Sequence, residues 1–287
     1  MTKCSENFVS QALGFIIRFC AAELRLIMKK NLLTDIALYL VVYILIQFGV
    51  NIAAGIICQT HNFTPEVMIV TTIISNAATI AVFAWRRWTP LSGHYIASRP
   101  WFTLFWVACL AVGASAPMSL LMDEAGLELP QQYQELFKGI MSHDTGYLAV
   151  GVFAPVAEEM LFRGAILRRL LDVMDGRRAW LAIAVTAALF GIVHLNLAQG
   201  LNAFVLGLLL GWMYVRTRSI VPGIVFHLAN NTVAFALCRL FPGSADMTLR
   251  EFYGGDMKRV TMAVVFSLMI FGASLYQLNF RLQKMSE

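Results

Sequence analysis

Runs of about twenty apolar residues recur along the whole chain, and no other feature limits its fold as strongly. At ~20 residues per crossing, such runs match the hydrocarbon core of a bilayer. A segment in lipid must satisfy its backbone groups internally, so each run is expected to be a helix. About eight such runs are read, at 34–58, 66–85, 101–121, 146–166, 179–196, 200–216, 220–241 and 260–280. Charged residues make up only 14% of the 287 and hydrophobic ones 59%, whereas soluble domains carry about a quarter charged residues. The expected fold class is therefore all-α: a polytopic transmembrane helix bundle. It is read as a single bundle over 34–287. The preceding segment 1–33 mixes Phe8, Leu13, Phe15 and Ile16 with Glu6, Arg18, Glu23 and Arg25. It is read as an amphipathic helix at the interface, not a cleavable leader.

The net charge of +5 invites a nucleic-acid reading, but the basic residues sit between the apolar runs. Their placement is a topology signal, because short cytoplasmic loops collect Lys and Arg. With a cytoplasmic N-terminus, alternation puts Arg86, Arg87 and Arg99 on the same side. Arg163, Arg168, Arg169, Arg177 and Arg178 follow there, then Arg216 and Arg218, and finally Arg281 and Lys284. Lys138, Arg239, Arg250, Lys258 and Arg259 fall on the other side, beside the acidic stretch 122–137. Both termini are thus expected in the cytoplasm, with lipid as the surrounding partner and no role for nucleic acid. The five cysteines, Cys4, Cys20, Cys58, Cys109 and Cys238, are scattered and form no CxxC. They suggest neither a disulfide framework nor a zinc knuckle.

Inside lipid each ionisable residue needs a reason, since Asp, Lys or Arg at a helix centre costs about 2.5–3.5 kcal/mol. The fourth run is interrupted by Glu158, Glu159 and Arg163, the fifth by His194, and the seventh by His227, Asn230 and Asn231. Glu159 and Arg163 are four apart and can pair along one helix face. Glu158 points about 100° away and is left without a local partner. A carboxylate held in low dielectric takes up a proton more readily and is a usable general base. Phe190 and His194 share a face at four-residue spacing, as do His227 and Asn231. Asn230 points elsewhere and is read as interhelical glue. Gly207 and Gly211 suit close helix packing, within the bundle ahead of a dimer contact; the oligomeric state stays open. A carboxylate, two imidazoles and an amide suit water activation with oxyanion stabilisation. Glu158, His194 and His227 also make a His₂Glu zinc set, although no HExxH is present. A transporter, or a non-catalytic immunity or scaffold protein, would use the same buried polar groups differently. No inverted counterpart in the first three runs supports transport.

Three motifs occur in order: Glu158-Glu159-x-x-x-Arg163, Phe190-x-x-x-His194 and His227-x-x-x-Asn231. They resemble the signature motifs of the CAAX protease and bacteriocin-processing family, which includes the type 2 CAAX prenyl endopeptidases. The resemblance covers about residues 145–241. It implies an intramembrane endopeptidase acting on a membrane-associated peptide or protein. Glu158 would activate water with His194, while His227 and Asn231 would stabilise the oxyanion. Glu159, Arg163 and Phe190 would support the site. The resemblance favours metal-free chemistry, with zinc on Glu158, His194 and His227 as the alternative. The compact chain suggests the cytoplasmic membrane of a bacterium as its setting.

Overall fold

A computed structural model describes residues 31–59, 63–90, 92–174 and 176–283. Residues 1–30, most of the expected interfacial helix, lie outside the described residues. The described chain is helical throughout, with no strand. Its helices are α1 (Asn31–Cys58), α2 (Pro65–Trp85), α3 (Gly93–Ala97), α4 (Trp101–Glu124) and α5 (Gln131–Ser142). Next comes α6, one continuous helical path over 144–173. It is followed by α7 (Ala179–Ile192), α8 (Leu197–Thr217), α9 (Val221–Leu240), α10 (Leu249–Phe252) and α11 (Met257–Gln283).

Each of the eight apolar runs falls on a helix, although the fifth outlasts its helix by four residues. Among the described residues six helices are long and apolar enough to cross a membrane: α1, α2, α4, α8, α9 and α11. The α6 path is interrupted by changes of helical register, and α7 has only 14 residues. At ~1.5 Å per residue α7 is about 21 Å long, short of the ~30 Å hydrocarbon core.

Burial is inverted relative to a water-soluble protein. Leu45, Phe48, Ile57, Phe266 and Met269 are exposed, while Glu159, Arg163, Ser75 and Thr79 are buried. Water does not reward that arrangement, but lipid does. The fold is that of an integral membrane protein.

The core centres on α6 and the α7–α8 hairpin. Every residue of Met160–Leu167 is buried, against Phe190, Leu206, Leu210, Met213 and Phe226. Gly207 and Gly211 both face α7: an added Cβ would lie 3.0 Å from Ala187 and 2.8 Å from Ile183. These glycines serve packing inside the bundle. Helix α9 runs through the middle, touching α4, α5, α6 and α8.

Helix α5 was not anticipated. Its stripe of Tyr133, Leu136, Phe137, Ile140 and Met141 has helical spacing on an otherwise polar segment, so it lies over the bundle without crossing it. Ion pairs tie this end together. Lys138 pairs with Asp246 and Arg250 with Glu124. Arg239 reaches Asp144 at 2.6 Å, and Arg259 reaches Asp256 at 3.3 Å. Four of the five basic residues that fall against the positive-inside count are thus neutralised by an acid.

Candidate active site

The site begins with a defect in α6. Two π-helical segments, Leu148–Phe153 and Met160–Leu167, flank the α-helical turn Ala154–Glu159. Such bulges are uncommon and recur at functional sites. The first has a cause in the sequence. The Ala154 N–H donates to the Ala149 carbonyl, five residues back, and Pro155 has no N–H to give. The Val150 carbonyl is then without a helical donor. The Asn231 amide supplies one from α9, with Nδ2 donating to it at 2.8 Å. One turn away Thr232 Oγ1 donates to the Leu228 carbonyl at 2.7 Å and accepts the Tyr147 hydroxyl at 2.8 Å. In the second π segment the Met160 carbonyl accepts Thr89 Oγ1 at 2.5 Å. Neighbouring side chains therefore hold the irregular backbone, as lipid demands.

The glutamates sit on the turn between the two π segments, and their surroundings differ. Glu159 is fully buried and accepts Arg163 Nη1 at 2.8 Å. Arg163, 1% exposed, also donates to the Gly207 carbonyl at 3.3 Å and lies 4.6 Å over the Phe190 ring. The Glu159 carboxylate packs on Gly223, where no side chain would fit. The pair expected from four-residue spacing is thus formed. Glu158 has no partner on its own helix and faces a cavity. Across the interface His227 stands between the two: Nε2 is 3.7 Å from Glu158 Oε2, and Nδ1 is 3.5 Å from Glu159 Oε1. Both distances exceed a normal hydrogen bond.

His194 lies beyond the end of its helix. The sequence suggested one helix over 179–196, but α7 stops at Ile192. Leu195 adopts a left-handed conformation (φ 56°) and Asn196 caps α8, its Oδ1 accepting Gln199 N–H at 2.9 Å. Asn196 Nδ2 donates to the His194 carbonyl at 2.9 Å. An asparagine that can cap the next helix and hold the preceding carbonyl ends α7 early. His194 on this turn lines the same cavity as Glu158. His194 Nδ1 lies 2.7 Å from the Phe190 carbonyl. A carbonyl only accepts, so Nδ1 carries the proton and Nε2 is left as the basic nitrogen. Phe190 links the groups, its ring 4.9 Å from Phe162, 5.2 Å from His194 and 5.8 Å from His227.

Glu158, His194, His227 and Asn231 all line one cavity of about 490 Å³. Phe190 completes the wall, and Glu159 and Arg163 stand behind it. Asn230, read as glue pointing elsewhere, lines the cavity too and donates to Asn231 Oδ1 at 3.2 Å. The sequence reading also missed Gln199 and Asn202 on the face of α8, and Gln134 on α5. The signal for the first two was a pair of amides three apart at the start of an apolar helix. Among the described residues no three His, Cys, Asp or Glu side chains converge as metal ligands. Glu158, His194 and His227 share the cavity without forming that cluster, so their arrangement does not fit a zinc ion.

Fold and site together define an integral membrane protein with a carboxylate–imidazole–amide centre enclosed by helices. Residues 145–233 match the family model described as Type II CAAX prenyl endopeptidase Rce1-like. The matched stretch runs from the first turn of α6 to just past Asn231 and contains all three motifs, in agreement with the resemblance read from them. Over this core the chain is similar to the Rce1-like type II CAAX prenyl endopeptidases. No curated protein and no solved structure matches the chain.

Proposed function

We propose that this protein is an intramembrane endopeptidase of the CAAX-protease type, hydrolysing a peptide bond with water activated by Glu158. The observation that carries the reading is the shared cavity: three motifs separated in sequence contribute Glu158, His194, His227 and Asn231 to its lining. The Glu158 carboxylate takes a proton from water, with the basic nitrogen of His194 helping to hold that water. Hydroxide adds to the carbonyl carbon. The resulting oxyanion accepts hydrogen bonds from the His227 ring and the second N–H of Asn231. The proton held by Glu158 passes to the departing nitrogen, the C–N bond breaks, and an acid and an amine leave. The first N–H of Asn231 is occupied by Val150, which supports a fixed orientation for the second.

We favour metal-free chemistry on the donor arrangement. His227 turns one ring nitrogen toward each glutamate, and His194 commits Nδ1 to a backbone carbonyl. On this reading α6 and the short α7, extended by the turn after it, cross together with the six longer helices, giving eight passes with both ends cytoplasmic. The substrate is a membrane-associated peptide or protein, with CAAX-type prenylated tails as one candidate class. The test is purified protein in proteoliposomes, given farnesylated and plain peptides. Wild type should cleave at least one set and Glu158→Gln none. Membrane-protein termini that are identical in cells carrying either form, together with no cleavage in vitro, would remove the protease reading.

A further inference from the structure

The cavity has a polarity pattern that the catalytic groups do not account for. On α8 its wall runs Gln199, Asn202, Ala203, Leu206 and Leu210, amides giving way to apolar side chains. The α9 wall places Phe226 and Ala234 on either side of the polar residues 227, 230 and 231. A polar band therefore crosses an otherwise apolar channel at the level of Glu158. Two of its amides are committed locally. Gln199 Oε1 accepts Asn196 Nδ2 at 2.5 Å, and Asn230 donates to Asn231. Asn202 has no side-chain hydrogen bond among the described residues, although an unpaired amide inside a membrane protein is costly. Charge is equally one-sided. Among the described residues Glu158 is the single acidic residue lining the cavity, and no Lys or Arg lines it. The Arg163 guanidinium behind the wall is buried and already paired with Glu159.

We propose that Asn202 binds the main chain of the substrate and that the cavity selects an extended segment with uncharged residues on both sides of the cleaved bond. This inference rests on the protease reading and gives it a substrate class. A primary amide offers a donor and an acceptor together, the complement of a peptide group. Binding through the backbone tolerates varied apolar side chains, which the walls around Leu206, Leu210 and Phe137 receive. An acidic side chain beside the cleaved bond would face Glu158 with no cation to offset it. In a low-dielectric site that repulsion is not screened.

The test uses the full-length protein in proteoliposomes and a Leu/Ala-rich quenched-fluorescence decapeptide. Variants carry Asn or its isostere Asp at the residues flanking the cleaved bond, which mass spectrometry locates. Binding is read by competitive photo-crosslinking and cleavage by fluorescence. The Asp peptides should bind and be cut at least tenfold less well than the Asn peptides. Asn202→Leu, which keeps a good helix former in place, should raise KM and weaken crosslinking about tenfold with kcat within twofold. Asn202→Gln should restore most of the binding. Equal binding of Asn and Asp peptides, unchanged binding in Asn202→Leu, or no peptide binding at all would overturn the proposal. Selective binding without cleavage by wild type would instead remove the protease reading and leave the pocket assignment standing.

Discussion

Two groups of ion pairs in this bundle do different work. At the centre Glu159 and Arg163 pair at 2.8 Å with almost no exposure. At the α5 end, Lys138–Asp246, Arg239–Asp144 and Arg250–Glu124 join the same kinds of group in the open. An exposed pair is screened, spends side-chain entropy, and contributes about 0–1 kcal/mol. A buried pair adds little net stability over apolar packing, yet losing one partner strands a charge. The central pair therefore fixes a position: Arg163 also reaches the Gly207 carbonyl and the face of Phe190, which itself touches both histidines. Of the outer pairs Lys138–Asp246 fastens α5, while Arg239–Asp144 joins α9 to the start of α6 and Arg250–Glu124 joins α10 to α4.

The largest effect should follow from breaking the central pair on one side only. Arg163→Met leaves Glu159 buried and uncompensated, and unfolding in detergent should show a loss of about 3–5 kcal/mol. A smaller loss than a typical exposed pair gives would erase the contrast.

Next comes the link between the helix defect and Asn231. Asn231→Ala should lower kcat by about 10²–10³, the scale of losing one oxyanion donor, and should also reduce stability because the Val150 carbonyl loses its donor. Pro155→Ala supplies the missing N–H at position 155. In that background the stability cost of Asn231→Ala should shrink, with a coupling of about 0.5–1.5 kcal/mol in a double-mutant cycle. Purely additive stabilities would separate Pro155 from Asn231.

The smallest effect belongs to the outer pairs. Lys138→Ala and Arg239→Ala should each cost under about 1 kcal/mol, a difference that fades as salt rises. A salt-insensitive loss would mean that these pairs are as structural as the central one.

Much of the bundle was legible because lipid imposes a simple rule. Apolar runs gave the helices, and interrupted runs gave Glu158, Glu159, Arg163, His194, His227 and Asn231. Four-residue spacing gave the Glu159–Arg163 pair, which needs only one helix to form. Contacts between helices were not legible: nothing in the spacing says that His227 stands between the two glutamates or that Asn231 serves Val150. The early end of α7 was hidden because Val193 and Leu195 continue the apolar run, whereas local capping by Asn196 decides the turn. Helix α5 escaped because its apolar stripe is too short to span, and Asn202 because one amide among leucines carries no periodic signal.

The two adjacent glutamates provide the most direct test of the account. Cleavage and thermal stability are measured together for Glu158→Gln and Glu159→Gln in proteoliposomes. Glu158→Gln should lose about 10²–10⁴-fold in kcat, the scale of a general base, and keep its melting temperature, because its side chain has no bonded partner on α6. Glu159→Gln should mainly lose stability. Cleavage by Glu158→Gln at the wild-type rate would contradict the assignment of Glu158 as the base.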